Sequence, residues 1–397
     1  MPDIRKMAER VNDYIIDRRR YYHAHPELSG EEKETVQALK QDLEALGIEV
    51  KLCTTCHGLV GTITGGKAGP GTKTIALRSD IDALPVNEQT GLPFASENPG
   101  VMHACGHDSH MAMLLGAAKI LTEIREELPG TVKLLFQPAE ETASGALAMI
   151  AEGALDGVDA IYGAHIWGDF DAPYIDVSEG NRMASCGSFT ITVEGSSTHG
   201  SSPHLGTDAI VAAAAIIMDL QTYVSRNNDP LNPLVVTVGK IDGGQRFNII
   251  ANKVVMEGTY RTFSRRTLST IDKDLKRIVT HTAEAFGAKA AVECVNMTTP
   301  VINDQADLNR IARDAVIKLY GEEGLGHLPT MMGSEDFAFF MEKVPGIFGF
   351  IGSRDPEQGF VYTNHHEKYS VPEEVLQRGA AMHAQFALDY LTEKAGE

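Results

Sequence analysis

Short apolar runs alternate with stretches of helical periodicity through the first half of the chain, and this alternation restricts the fold more than any other feature. The runs are Leu59 to Thr64, Thr74 to Leu77, Val132 to Phe136 and Ala160 to Ala164. The helical patterns lie near Met111 to Glu127 and Ala143 to Gly153. Strands that alternate with helices predict an α/β fold: a mostly parallel sheet with helices on both faces. A helical stretch precedes the runs. In it Ser29 and Glu32 read as a capping box, and apolar positions follow at Val36, Leu39, Leu43 and Leu46 before Gly47.

The texture changes near Ser185. Ser188 to Glu194 alternates with period two, and a helical pattern follows over Asp208 to Val224. Strand patterns at Leu234 to Ile241 and Val254 to Thr262, a helix over Arg266 to Phe286 and a strand at Ala290 to Val295 complete a β-α-β-β-α-β order. That order is the split βαβ, ferredoxin-like unit. The expected organisation is an α/β domain of residues 1–185 and 299–397, interrupted by an inserted α+β domain of residues 186–298.

Composition narrows the function. The chain has 397 residues, 43% hydrophobic and 22% charged, which is globular composition. Its net charge of −19 repels phosphate backbones and anionic lipid, so neither nucleic acid nor a membrane surface is an expected partner. Apolar runs such as Ala209 to Met218 fall short of the roughly 18–20 residues that span a bilayer. The opening MPDIRKMAERVNDY carries no apolar segment of the secretory kind, so a cytoplasmic location is expected. Five cysteines, Cys53, Cys56, Cys105, Cys186 and Cys294, form an odd and sparse set rather than a disulfide framework. In a reducing compartment a thiolate can serve as a metal ligand.

Ligands of open parallel sheets sit beyond the carboxyl ends of the strands. Here those ends lead into RSDIDALP, with Asp80 and Asp82; QPAEE, with Glu140 and Glu141; and His165. Between them HACGHDSH gathers His103, Cys105, His107, Asp108 and His110, and NHHEKY later brings His365 and His366. Cysteine, histidine and carboxylate together suit zinc and other first-row divalent metals. Ligating imidazoles need a partner to fix their tautomer, a role that suits Asp108 and His103. Of two adjacent carboxylates in an extended loop, one can bind a metal while the other faces its water as a general base. Taken alone, QPAEE also reads as an acidic helix start, and Asp80 and Asp82 as a turn. Their convergence at one sheet edge, with no GxSxG elbow or Walker loop in these segments, points to metal-assisted hydrolysis.

The motifs LRSDIDALPVNEQTGLPF, MHACGHDSHMAMLLGAA, KLLFQPAEE, GAHIWG, STHGSSPH, GGQRFNIIANKVVMEGTYRTF and MGSEDFAFF follow one another in a familiar order. The chain resembles the dinuclear metallo-amidohydrolases of the aminoacylase and carboxypeptidase G superfamily. Within it, the likeness is strongest to the N-acyl-amino-acid amidohydrolases, hippurate hydrolases and auxin-conjugate hydrolases. The resemblance implies two divalent metal ions per subunit, Mn or Zn first and Co or Ni as alternatives. The implied ligands are Cys105, His107, Glu141, His165 and His365, with His366 in the place of a non-ligating serine. Glu140 is implied as the general base and Asp82 as the residue orienting it or a ligand. His199 is implied as a donor to the substrate carbonyl, and Asn248 and Arg261 as residues near the substrate carboxylate.

The implied reaction is hydrolysis of an N-acyl amino acid. A dipeptidase or a ureido-group hydrolase is the rival of the same chemistry. A catalytically inactive metal-binding protein is the rival of another class, against which Glu140, His199 and the two aspartates argue. The resemblance further implies a homodimer through the insertion, with His199 reaching the partner's site. Helix AIVAAAAIIMDL, apolar nearly all round, suits cover by a second copy. THGSSPH and HHEKY depart from the family's usual GHAAxPH and HSPxF, which puts substrate choice in doubt. Trp167 reads equally as an acyl-pocket wall or as a packed core residue, and Arg246 as a solvated surface residue.

Overall fold

The computed structural model describes residues 2–395. Chain contacts divide it into two compact units, Met1–Gly180 with Ile302–Pro329 and Asp336–Glu397, and Asn181–Val301 with Thr330–Glu335. The sequence-based boundaries, 185/186 and 298/299, lie a few residues from these divisions. The segment Thr330–Glu335 groups with the second unit across a long sequence gap, which no local pattern signals.

The first unit opens with helices α1 (Ile4–Arg10), α2 (Asn12–Ala24) and α3 (Lys33–Ala45), followed by strands β1 (Glu49–Leu52), β2 (Leu59–Thr64) and β3 (Thr74–Asp80). Then come α4 (His107–Glu123), β4 (Thr131–Gln137), α5 (Gly145–Ala151), β5 (Ala160–Asp171) and β6 (Ile175–Asp176). The short strand β7 (Gly180–Met183) leads out of this unit. The seven-stranded sheet runs β1-β2-β4-β3-β5-β13-β6, where β13 is Gly346–Arg354. Pairs β4/β3, β3/β5 and β5/β13 are parallel, and the outer pairs are antiparallel. The sheet is thus parallel at its centre, where the alternation of strand and helix required it.

Side chains alternate across that sheet. Ile347 and Ile351 of β13, with Ile75 and Leu77 of β3 and Tyr162 of β5, join one core with Leu114 and Leu115 of α4. That core also holds Ala380, Ala384 and Phe386 of α10 (Leu376–Glu393). The intervening Phe348 packs the other way, 5.0 Å between ring centroids from Phe337 of α9 (Phe337–Met341). Helix α4 is buried almost all round, so HACGHDSH is anchored to a helix of the core. Each fully buried Leu, Ile or Phe in such a core is worth about 1.5–3 kcal/mol.

Helix α3 presents Val36, Leu39 and Leu43 to the core as its spacing predicts, but its start differs. Ser29 Oγ donates to Asp82 Oδ2 at 2.7 Å rather than capping the helix. Glu32 Oε1 accepts from Gly30 N–H at 2.9 Å and from Ala139 N–H at 2.8 Å. The capping-box reading is therefore corrected: tertiary partners have taken both side chains.

The second unit holds β8 (Ser185–Glu194), α6 (Ala209–Thr222), β9 (Leu234–Gly243), β10 (Lys253–Thr262), α7 (Arg265–Ala285) and β11 (Lys289–Thr298). Its sheet runs β11-β8-β10-β9, all antiparallel, in the ferredoxin-like arrangement. Phe189, Ile191 and Val193 face the core while Thr190 and Glu194 face out, which is the period of two seen in the sequence. Ser264 Oγ caps α7 by accepting from Thr267 N–H, and Asp208 caps α6 in the same way. Beyond this unit come β12 (Val301–Asn303) and α8 (Ala306–Tyr320).

His383 of α10 is 1% exposed, stands edge-on to Tyr162, and its Nδ1 has no hydrogen-bond partner. Burial, and then the nearby His110, hold its pKa down at about 3. The unfolded chain takes up that proton near pH 6.5, so the folded state loses ground as pH falls through about 6.5. His383→Gln removes this dependence. Thermal midpoints at about pH 7.5 and about pH 4.5 should show the wild type losing more stability than the variant on acidification. Equal losses would mean that His383 is not held neutral.

Candidate metal centre and active site

Two strand ends, a position inside a third strand and one helix start meet in the first unit; His165, expected just past a strand end, lies within β5, which continues to Asp171. β3 ends at Asp80, with Asp82 just beyond; β4 ends at Gln137 and leads through Pro138 to Glu140 and Glu141; β5 carries His165; α4 begins at His107, two residues after Cys105. A distant loop supplies His365, whose N–H donates to Ala104 O at 2.7 Å. Asn364 secures that loop by donating to Cys105 O and Ile166 O while accepting from Gly168 N–H.

The donor atoms crowd together. Cys105 Sγ lies 3.4 Å from His165 Nε2 and 3.2 Å from His365 Nε2, and His365 Nε2 lies 3.4 Å from Glu141 Oε1. Within each of the sets Cys105/His107/His165, Cys105/Glu141/His365 and His107/Glu140/Glu141, the donor atoms lie within 4.8 Å of one another. The structure thus brings together all five sequence-predicted ligands, Cys105, His107, Glu141, His165 and His365, with Glu140 beside them. His366 points elsewhere: it stacks on Tyr362 and its Nδ1 accepts from Lys368 N–H.

Hydrogen bonds fix the tautomers. His107 Nδ1 faces Asp82 O at 2.8 Å and His165 Nδ1 faces Ile166 O at 2.7 Å. A carbonyl only accepts, so both Nδ1 atoms carry hydrogen and both Nε2 atoms are left to the cluster. His107 Nε2 and Glu141 Oε1 are buried without a hydrogen-bond partner. His110 is different: its Nε2 accepts from Ile166 N–H and its Nδ1 donates to Asp80 Oδ1, so neither nitrogen is available. Asp108 binds Arg19 Nε and His23 Nδ1, not a clustered histidine. That corrects the supporting role expected of it; Asp82 and the Ile166 carbonyl orient the ligands instead. His103 is buried with neither nitrogen partnered.

The electrostatics call for a cation. Burial raises the Cys105 thiol well above its usual range, and Glu141, Glu140 and Asp80 push it further. Burial alone would lower His107, yet Asp80 and Asp82 hold it up at about 10. Burial and His110 hold His165 neutral. A surplus of carboxylates around clustered nitrogen, sulfur and oxygen donors, two of them without a hydrogen-bond partner, fits a divalent first-row metal, whose charge reverses the pressure on the thiol.

The Glu140–Glu141 loop is tightly held. Asp82 Oδ2 accepts from Glu141 N–H at 3.0 Å, and Glu32 Oε1 accepts from Ala139 N–H. Ala139 and Ala143 have φ of 51° and 54°, and His365 has φ of 70°. Among the described residues these three are the non-glycine positions in the left-handed region, and all lie in this site. Such conformations cost about 1–3 kcal/mol each and persist only where the surroundings impose them. Gly145 closes the loop: a Cβ there would lie 1.5 Å from Pro138 O.

Two holders escaped the sequence reading. Glu32 looked like a helix cap. Asp336, within the GSEDF motif, accepts from Gln137 Nε2, Ala146 N–H and Arg78 Nη2. Trp167 stands 5.3 Å from His165 and 5.8 Å from Phe350, ring to ring.

The remaining predicted residues lie in the second unit. His199 is exposed, and its Nδ1 accepts from Ser201 N–H at 3.1 Å. An amide can only donate, so the hydrogen of His199 sits on Nε2, which is left as a donor. The His199 loop is tied to the Asn248 loop through Gly200 N–H to Asn248 O at 2.8 Å, and Asn248 Oδ1 is buried without a partner. Arg261 of β10 donates to Ser334 Oγ.

The profile of peptidase family M20/M25/M40 matches residues 76–389. N-acetyl-L-cysteine deacetylase of Bacillus subtilis (strain 168) is 40% identical over 362 residues, covering 91% of this chain and 84% of that protein. IAA-amino acid hydrolase ILR1-like 2 of Arabidopsis thaliana is 39% identical over 394 residues, covering 98% and 87%. Among solved structures, the YXEP protein of Bacillus subtilis, described as a dinuclear metal binding peptidase from the M20 family, superposes with a TM-score of 0.85. It is 34% identical and the match covers 97% and 99% of the two chains.

Glu32 offers a test of how the loop is held. Glu32→Ala leaves the buried Ala139 N–H without an acceptor, a loss of about 1–3 kcal/mol. The expected outcome is a lower thermal midpoint and a reduced kcat with KM little changed, while Glu32→Gln, which keeps an acceptor oxygen, recovers most of both. If Glu32→Ala matches wild type in kcat, the loop is positioned without it.

Proposed function

The chain belongs to peptidase family M20/M25/M40 and is a metal-dependent amidohydrolase; on that premise we propose that it hydrolyses N-acyl amino acids to a carboxylic acid and a free amino acid. The observation that carries the reading is the juxtaposition of Glu140 with the cluster of Cys105, His107, Glu141, His165 and His365, in which His107 Nε2 and Glu141 Oε1 await a partner. The relatives' names support the substrate class, since they denote a deacetylase of N-acetyl-L-cysteine and a hydrolase of an IAA-amino acid. The dinuclear description of the YXEP protein supports a pair of metal ions; the Cys, His and carboxylate donors suit divalent first-row ions, for which we propose Mn or Zn, with Co or Ni as alternatives.

Two cations held by those five residues would supply the positive charge that polarises the amide carbonyl and acidifies the attacking water. The chain's own residues do the rest. The Glu140 carboxylate takes the proton of the attacking water and returns it to the departing nitrogen. Its reach is set by Asp82 and Glu32, which hold the backbone on either side of it. The His199 Nε2–H donates to the carbonyl oxygen as negative charge develops there, a contribution typically worth about 100–1,000-fold. Arg261 and Asn248 receive the substrate carboxylate, offsetting the repulsion of a chain with net charge −19. All five cysteines are free thiols, which accords with a cytoplasmic enzyme.

Glu140→Gln should retain metal and lose about 100–10,000-fold in kcat. Metal analysis and a panel of N-acetyl and N-benzoyl amino acids, dipeptides and allantoate would test both steps. A variant within a few-fold of wild type removes Glu140 from the mechanism. A preference for dipeptides or allantoate replaces the proposed substrate class.

A homodimer through the second unit belongs to the same proposal. Ile210, Phe247 and Ile249 line one shallow concavity beside the His199 loop, and Phe247 is 95% exposed. Met218 of α6 is 68% exposed. Apolar surface of this kind suits a second copy. Mixing Glu140→Gln chains with His199→Ala chains under subunit exchange should restore activity, because one site of the mixed dimer then holds both wild-type residues. Confirmed mixed dimers without activity would assign His199 to its own chain.

A further inference from the structure

Cys53 and Cys56 lie outside the metal cluster, in the connection between β1 and β2. Their sulfurs and a Glu152 carboxylate oxygen lie within 4.8 Å of one another, and both cysteines are half-buried and thus within reach of solvent. The turn between them is built. Thr54 and Thr55 donate both N–H groups and both hydroxyls to the Glu152 carboxylate, at 2.5–3.0 Å, and Cys53 N–H donates to Gly58 O at 2.9 Å. With its oxygens taken by those donors, Glu152 serves as the clamp of a preformed Cys-x-x-Cys turn, not as a third ligand for a cation.

The two thiols differ. The Cys53 thiol bonds to Cys56, which lowers Cys56 against the opposing effect of burial, and Gly58 N–H lowers it further. The same bond, followed by burial, raises Cys53. That direction, with Gly58 N–H on the Cys56 side, favours Cys56 as the attacking thiol and Cys53 as its resolving partner.

The turn also touches the active-site loop. Gly58 is wedged so closely that a Cβ would lie 3.1 Å from Pro138 Cδ and 3.1 Å from Met149 Sδ. Pro138 opens the segment to Glu140 and Glu141, and Met149 belongs to α5, the helix that closes it and ends at Ala151, with Glu152 as its C-terminal cap. A rearrangement of the turn is therefore transmitted to both ends of the loop.

We propose that Cys53 and Cys56 form a redox site at which a hydroperoxide converts the dithiol to a disulfide, and that this disulfide displaces the Glu140 loop through Gly58. The Cys56 thiolate attacks the terminal oxygen of the peroxide, breaking its O–O bond, to give a sulfenic acid and, with a proton, water from hydrogen peroxide or an alcohol from an organic hydroperoxide. Cys53 loses its proton and attacks the Cys56 sulfur; the S–O bond breaks, the S–S bond forms and water leaves. The thiols give up two electrons and the peroxide takes them. A dithiol reverses the reaction by exchange.

The test treats the full-length, metal-loaded protein with substoichiometric hydrogen peroxide, then alkylates and digests it with trypsin. The peptide from Leu52 to Lys67 contains these two cysteines and no others. It should be recovered unalkylated and about 2 Da lighter, and return to the dialkylated form after dithiothreitol. kcat should fall about ten-fold with metal content unchanged, recover on reduction, and stay constant in Cys53→Ser and Cys56→Ser. Metal loss together with inactivation would assign the effect to Cys105 and overturn the proposal. So would a dialkylated peptide after peroxide, a disulfide that leaves kcat unchanged, or a metal equivalent lost on Cys53→Ser. The functional half rests on the hydrolase reading, whereas the mass of the peptide reports the disulfide whatever the reaction proves to be.

Discussion

The buried guanidinium of Arg78 is the interaction on which the site depends. It is 2% exposed on β3 and bonds Asp80 at 2.6 Å, Gln137 of β4 at 2.8 Å and Asp336 before α9 at 3.1 Å. Asp80 in turn holds His110 of α4, which accepts from Ile166 N–H of β5. One charge thus ties together the ends of two parallel strands, the middle of a third, a core helix and the cap of α9. A buried ion of this kind adds little net stability over a hydrophobic substitute, but losing one partner leaves a charge stranded, at a cost of about 3–5 kcal/mol. Its value is in specifying one arrangement of strand ends, the arrangement that gathers the donor atoms. Burial alone would raise Asp80; His107, His110 and Arg78 outweigh it and hold the carboxyl well below its usual range, so the framework stays charged.

The same logic explains what the sequence made legible. Leu59 to Thr64 was read as a strand and is one, to the residue, because short apolar runs flanked by turns have few other uses. The ferredoxin-like order of the second unit followed from clean changes of period. β13 was not assigned: GIFGFIGSR mixes glycines into a strand buried on both faces, so it carries neither period two nor a continuous apolar run. Among the site residues, the chemical types at the strand ends were readable because cysteine, histidine and paired carboxylates are rare together. The roles that depend on tertiary partners were not. Glu32 and Ser29 satisfy a local capping pattern, yet they bond Ala139 and Asp82, 107 and 53 residues away. Asp108 sits among the ligands in sequence but faces Arg19 and His23 in space.

Neighbouring residues with separate fates show how far spacing can carry. His365 and His366 are chemically identical. The left-handed backbone at His365 turns it toward Cys105 and Glu141, while His366 stacks on Tyr362. Only the likeness to a known family separated them in the sequence. The Cys53–Cys56 pair shows the opposite failure. Counted within an odd set of five, it drew no attention, and only the clamp of Glu152 and the contact of Gly58 with Pro138 set it apart.

His107 is at once a donor of the cluster and the first residue of α4, the helix packed against α2, α10 and the sheet. A cation held by its Nε2 therefore grips the centre of the unit rather than an appendage, and it has no comparable site in the unfolded chain. Occupancy then enters the folding equilibrium by mass action. Above the dissociation constant, each tenfold rise in free cation adds about 1.4 kcal/mol to the stability of the folded chain. The persistence of this protein in a cell would thus follow the size of the free metal pool, so that starvation for the ion lowers the amount of enzyme as well as its turnover.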